Sequence, residues 1–127
     1  MSAYCARRLP EWLLANIDFS MMNDTAMTVG ERFRASTLEH IHRPAFEDEN
    51  LSLDYGELWR RSSSVSAALA RHGVEPGQRI AIMAGDGGAY LAVLLGLWLR
   101  GCVPIPVNRT QTQDKTRFIL EQSTPRG

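Results

Sequence analysis

A chain of 127 residues, 44% hydrophobic and 22% charged, is long enough for one modest core and has ordinary globular composition. Fourteen basic residues against fourteen acidic ones leave no overall field, which argues against nucleic acid or an anionic membrane surface as the partner. Its two cysteines, Cys5 and Cys102, lie far apart without CxxC or metal-ligand spacing, so the chain reads as a protein of the reducing cytoplasm and not as a disulfide scaffold.

Residues 1–27 read as an N-terminal extension. Trp12, Leu13, Leu14, Ile17 and Phe19 outline a short amphipathic helix. Pro10, Glu11 and Asp18 interrupt the apolar run that a signal peptide would need, and neither export nor a transmembrane span is expected. Met21, Met22 and Met27 are alternative starts. A helix is predicted from Thr28, where Thr28-Val29-Gly30-Glu31 has the capping-box form and Phe33 and Leu38 are candidate core contacts. His40 and His42 form an HxH pair without the further ligands that a metal site requires, and they read as solvated.

Pro44 to Glu47 and Leu51 to Leu53 flank Asp48-Glu49-Asn50, a pattern that predicts a small hairpin. Asp54 then caps the longest helix, with Glu57 at the capping-box position. Leu58, Val65 and Leu69 face the core beside Tyr55 and Trp59, and Arg60, Arg61, Ser63 and Ser64 face solvent. Gly73 suits the left-handed helix end, Val74 the contact that accompanies it, and Pro76-Gly77 a type II turn.

The stretch from Arg79 to Val107 organises the chain as strand, crossover helix and strand. Arg79 to Met83 is apolar at successive positions, as in a parallel strand covered on both faces. Ala89 to Leu99 is apolar almost all round, Gly101 is a helix stop, and Cys102-Val103 opens a second strand, reached by a right-handed crossover. The Gly85-Asp86-Gly87-Gly88 loop could cradle a phosphate, but GxGxxG would require glycine where Tyr90 stands, and Asp86 would repel an anion. Helix capping by Asp86 is the more economical reading.

Pro104 and Pro106 cannot donate ladder bonds, which places their strand at an edge or makes it short. Val107, Asn108 and Arg109 fall at the carboxyl end of a parallel strand, where open α/β sheets place ligands. Thr112 is predicted to cap a last helix, Gln113 to Gln122, with Phe118 and Ile119 inward and Asp114, Lys115 and Arg117 in water. The fold class is α/β: a layered, mostly parallel sheet with flanking helices and a small N-terminal hairpin, one part of a larger domain.

Three stretches, Leu53 to Leu58, Leu69 to Ile82 and Gly101 to Asn108, taken in this order and at this spacing, resemble the N-terminal region of AMP-forming acyl-CoA synthetases. That superfamily includes aryl-CoA ligases, luciferases and the adenylation domains of peptide synthetases. The resemblance runs from about Thr28 to Ser123. It implies ATP-dependent conversion of a carboxylic acid to an acyl-adenylate, then transfer to a thiol, usually coenzyme A, with Mg²⁺ helping to meet the charge on the α-phosphate. Fatty acid metabolism is one setting that it suggests.

The family's Ser/Thr/Gly-rich phosphate loop ending in lysine, its adenine and ribose site and its C-terminal-domain lysine match no stretch here. No catalytic, cofactor-binding or metal-ligating residue is therefore assigned, and residues 28–127 are expected to be a scaffold portion that stops short of the phosphate loop and is inactive by itself. Tyr55, Trp59, Ile80, Ile82, Leu94, Leu95 and Val107 take structural roles under this reading. The Gly85 to Gly88 stretch departs from the family's commoner asparagine followed by polar or bulky residues. Two alternatives compete: a free-standing nucleotide or flavin binder using that glycine turn, and a non-enzymatic module that self-associates through an exposed sheet edge.

Overall fold

The computed structural model describes residues 27–85 and 87–125; the proposed amphipathic segment of residues 1–26, Cys5 within it, and Asp86 lie outside them. Helix α1 (Val29–His40) starts with the capping box that its sequence specifies. The Thr28 hydroxyl accepts from the Glu31 amide at 3.3 Å, and the Glu31 carboxylate accepts from the Thr28 amide at 2.6 Å, holding that carboxyl below its ordinary pKa. Strands β1 (Pro44–Glu47) and β2 (Ser52–Asp54) pair antiparallel, with a register irregularity between Pro44 and Phe46. Their turn is closed by Asp48, whose Oδ1 accepts from the amides of Asn50 and Leu51, both at 2.8 Å.

Helix α2 (Tyr55–Arg71) follows directly, capped by Asp54, whose carboxylate accepts from the Glu57 amide at 2.7 Å. The expected reciprocal half of that capping box does not form. Glu57 turns forward and accepts from Arg60 Nη2 at 2.7 Å and Arg61 Nε at 2.8 Å, because two guanidinium groups one turn on outbid a single backbone amide. They hold its carboxyl down at about 2 from an ordinary 4.5. At its other end α2 stops in a Schellman turn, with Val74 N–H donating to Leu69 C=O and Gly73 N–H to Ala70 C=O, each at 3.0 Å.

The unit from strand β3 (Arg79–Ile82) through helix α3 (Gly88–Arg100) to strand β4 (Val103–Pro106) is parallel, as its sequence requires, with Arg79 opposite Val103 and Ile82 opposite Pro106. Gly101 ends α3 at φ +81. Helix α3 lies against α2 at closest approach where Gly96 meets Val65: a Cβ on Gly96 would stand 2.6 Å from Val65 Cβ and 2.9 Å from the Ser62 carbonyl oxygen. The main core gathers Phe33, Leu38, Leu53, Leu58, Trp59, Ala92 and Leu95. Trp59 is 2% exposed, with its ring 5.5 Å from that of Phe33, and burial of such a side chain stabilises by about 1.5–3 kcal/mol. A second cluster of Ile82, Leu97 and Cys102, with Ile80, Leu69 and Val74, joins the sheet to α3 and the end of α2.

Several expectations are corrected. The first core strand stops at Ile82, and Met83 is 54% exposed, because the pairing partners run out at Pro106. The strands are covered by a helix on one face, while helix α4 (Gln113–Ser123) stands off the other across an open cleft. That helix is capped by Thr112 as expected, yet it buries no residue: Phe118 is 63% exposed, and Ile119 and Leu120 are only partly covered. On α2, Arg60 and Ser64 are exposed, whereas Arg61 and Ser63 are half-buried against the helix surface.

Replacing Gly96 with alanine is expected to lower stability by about 1–3 kcal/mol, seen as a lower urea midpoint at unchanged slope, since the added methyl meets backbone as well as side chain. Glu57→Gln should cost about 0.5–1 kcal/mol at pH 7, the range for a well-formed but half-exposed pair. The Glu57 pKa is depressed in the folded state, so its stabilising contribution is complete above about 4.5 and is lost as pH falls toward 2. Urea titrations at stepped pH should therefore show the two proteins converging over that window.

Candidate functional site

The carboxyl ends of β3 and β4 lie side by side because the two strands are parallel and in register, and the Val107 amide donates to the Ile82 carbonyl at 2.8 Å just beyond the ladder. The loops that leave these ends enclose a cleft of about 680 Å³, with Gly85 and Tyr90 on one wall and Asn108, Arg109 and Thr110 on the other. Asn108 is committed to the loop itself: its Oδ1 accepts from the Thr110 amide at 2.9 Å and from the Thr110 hydroxyl at 2.8 Å. Arg109 reaches across, and its Nη1 would lie 3.5 Å from a Cβ placed on Gly85. Behind it a second opening of about 850 Å³ separates Ala81, Met83 and Val107 from the Thr116, Leu120 and Glu121 face of α4. The buried Gln111 Nε2 on its wall has no partner among the described residues.

The glycine turn has a structural explanation. Gly87 (φ +95) occupies the cap position of α3. Gly88 lies under the hairpin, where a Cβ would come within 2.6 Å of Leu51 Cδ2 and 3.0 Å of Leu53 Cδ1. The Asp48 carboxylate would be 3.4 Å from a Cβ on Gly87. A phosphate at this helix end would therefore meet an acidic neighbour as well as the packed hairpin. The remaining chemistry-bearing side chains are dispersed. His40 stacks obliquely on Tyr55 at 6.0 Å and lies 3.8 Å from Glu39, and His42 is exposed. Among the described residues no three of His, Cys, Asp and Glu converge well enough to hold a metal ion. The Cys102 thiol donates to the Glu75 carbonyl at 3.7 Å, and burial raises its pKa, which leaves it a weak nucleophile.

The family model of the AMP-binding enzymes matches residues 33–127. The chain belongs to that family. It is 39% identical over 82 residues to the 4-hydroxybenzoate--CoA/benzoate--CoA ligase of Rhodopseudomonas palustris, which covers 65% of this chain and 15% of the ligase. Among solved structures, a benzoate CoA ligase from Burkholderia xenovorans LB400 superposes with a TM-score of 0.72 at 27% identity, over 80% of this chain and 21% of that one. The N-terminal subdomain of Klebsiella oxytoca NpsA shares the fold, with a TM-score of 0.76 at 22% identity over 80% and 26% of the two chains.

The chain thus spans less than a fifth of the length of the curated ligase it matches, and it corresponds to the N-terminal region of an ATP-dependent, adenylate-forming family. Arg109 and Gln111 were not singled out as a pair by sequence reading, since only the fold brings the two strand ends and the start of α4 together; neither carries a recognisable motif.

Titration of the protein with ATP and Mg²⁺ should produce no saturable shift of the Gly87 and Gly88 amides by NMR. Saturable shifts at those two amides would reinstate the phosphate-cradle reading.

Proposed function

We propose that residues 28–127 are the N-terminal scaffold of an AMP-forming ligase that activates a carboxylic acid with ATP and passes the acyl group to coenzyme A. The observation that carries this reading is the family match over residues 33–127, together with likeness to two enzymes named as benzoate–CoA ligases. In this reading ATP supplies the AMP that makes carboxylate oxygen a good leaving group, Mg²⁺ and basic side chains meet the α-phosphate charge, and the coenzyme A thiol takes the acyl group. The residues of this chain do none of these steps. Their contribution is rigidity: the α2–α3 core and the β3–β4 pair set the floor against which the reactive half is built. The setting is the cytoplasm, where ATP and coenzyme A are both supplied.

Incubated with ATP, Mg²⁺, coenzyme A and a panel of aryl and fatty acids, the 127-residue chain should release no pyrophosphate above background; adenylation by these residues alone would overturn the scaffold assignment. A chimera tests the positive half of the claim. Residues 28–127 placed in the matching region of the Rhodopseudomonas ligase should leave its preference among acids unchanged. A folded chimera with altered acid preference would place specificity within this segment and contradict the proposal.

A further inference from the structure

Helices α1, α2 and α3 enclose a groove of about 290 Å³ near the carboxyl end of α3, lined among others by Arg34, Trp59, Ser63, Ser66, Ala67 and Arg100. On α2 these positions recur at i, i+4, i+7 and i+8, so they share one helical face, and beyond Trp59 they carry only short side chains. Room is left between the arginine of α1 and that of α3, with Ser63 and Ser66 half-buried on the wall. The groove is separate from the cleft at the strand ends. Tyr90, on the wall of that cleft, and Arg100 stand at opposite ends of α3, about 15 Å apart along its axis.

The charge on this lining has one sign. Arg34 and Arg100 come from different helices, and no aspartate or glutamate stands among the groove's residues. The Arg34 guanidinium carbon lies 5.8 Å from the centroid of the Trp59 ring, whose face positions its charge. Arg100 Nε donates to the Val74 carbonyl at 2.8 Å, which anchors that fork and leaves Nη1 and Nη2 without a partner among the described residues. Glu31, whose carboxylate feels Arg34, is committed to the capping box, where it accepts from the Thr28 amide at 2.6 Å. Arg34 Nε and Trp59 Nε1 are buried donors without an acceptor among the described residues, and Trp59 is only 2% exposed. Native interiors rarely leave such donors unmet, and two guanidinium groups beside them favour a negative charge.

We propose that this groove binds a small phosphate anion, held between the terminal guanidinium nitrogens of Arg34 and Arg100, with the Ser63 and Ser66 hydroxyls donating to its remaining oxygens. A carboxylate has two oxygens in one plane, which a single guanidinium fork satisfies. Donors arriving from three helices suit a tetrahedral oxyanion with three or four. Trp59 is the floor that holds Arg34 in place. The site uses none of the cleft residues and stands apart from the ligase reading.

The test titrates the 127-residue chain with inorganic phosphate and, separately, with pyrophosphate at constant ionic strength. The Trp59 indole N–H, assigned through Trp59→Phe, and the Arg100 Nε–H are followed by NMR. A saturable shift of both signals is expected with at least one probe, and the responding probe tells a single phosphate group from a diphosphate. Acetate should need a concentration higher by roughly tenfold or more. Arg34→Gln should weaken binding by roughly tenfold or more. Ser66→Asp places a carboxylate on a half-exposed wall and should abolish binding. Arg32→Gln removes the same charge from α1 outside the groove and should leave the affinity unchanged. Absence of a saturable shift, equal affinity for acetate, equal weakening by Arg32→Gln and Arg34→Gln, or shifts confined to the Gly87 and Gly88 amides would overturn the proposal. Should Arg34→Gln fail to fold, Ser66→Asp decides: undiminished binding by that folded variant would overturn it as well.

Discussion

The approach of α2 to α3 at Gly96 is the constraint on which the remaining structure rests. Without a side chain there, the helix axes come close enough for Val65 to fill the space over Gly96, and Trp59, Leu58, Ala92 and Leu95 close around the same seam. Interiors are packed like organic solids, so an added methyl cannot be absorbed locally. The seam fixes the attitude of α3, and α3 in turn fixes β3 and β4, since Leu97 and Cys102 seat Ile82 on its lower face. Every loop at the carboxyl edge inherits its place from that contact.

The carboxyl edge therefore brings the loops after β3 and β4 together around one cleft. Arg109 and Gly85 meet there, while Asn108 is spent on its own turn and Gly88 is covered by the hairpin. This fits a segment whose family performs adenylation and whose matched ligase is several times longer than the chain. The β3–β4 pair is packed on the α3 side of the sheet and faces an open cleft on the other.

Local chemistry was legible wherever one residue satisfies a nearby backbone group. Thr28, Asp54, Thr112, Gly73 and Gly101 act within a turn of themselves, and each took the role its residue type favours. Glu57 shows where that reasoning stops. Glu57 had two arginines in reach as well as an amide, and the charged partners won. Phe118 illustrates a different limit, because helical periodicity says which residues share a face but not whether anything lies beneath it.

The sequence by itself determined the order of elements, the parallel strand pair and the family, because caps, periodicity and the spacing of Gly and Pro are recorded residue by residue along the chain. Only the tertiary structure decided that Gly88 serves the hairpin, that α4 overhangs the sheet, and that Arg109 lies beside Gly85. Those outcomes depend on contacts between residues distant in sequence, whose geometry is set by packing at the α2–α3 seam and by the handedness of the crossover.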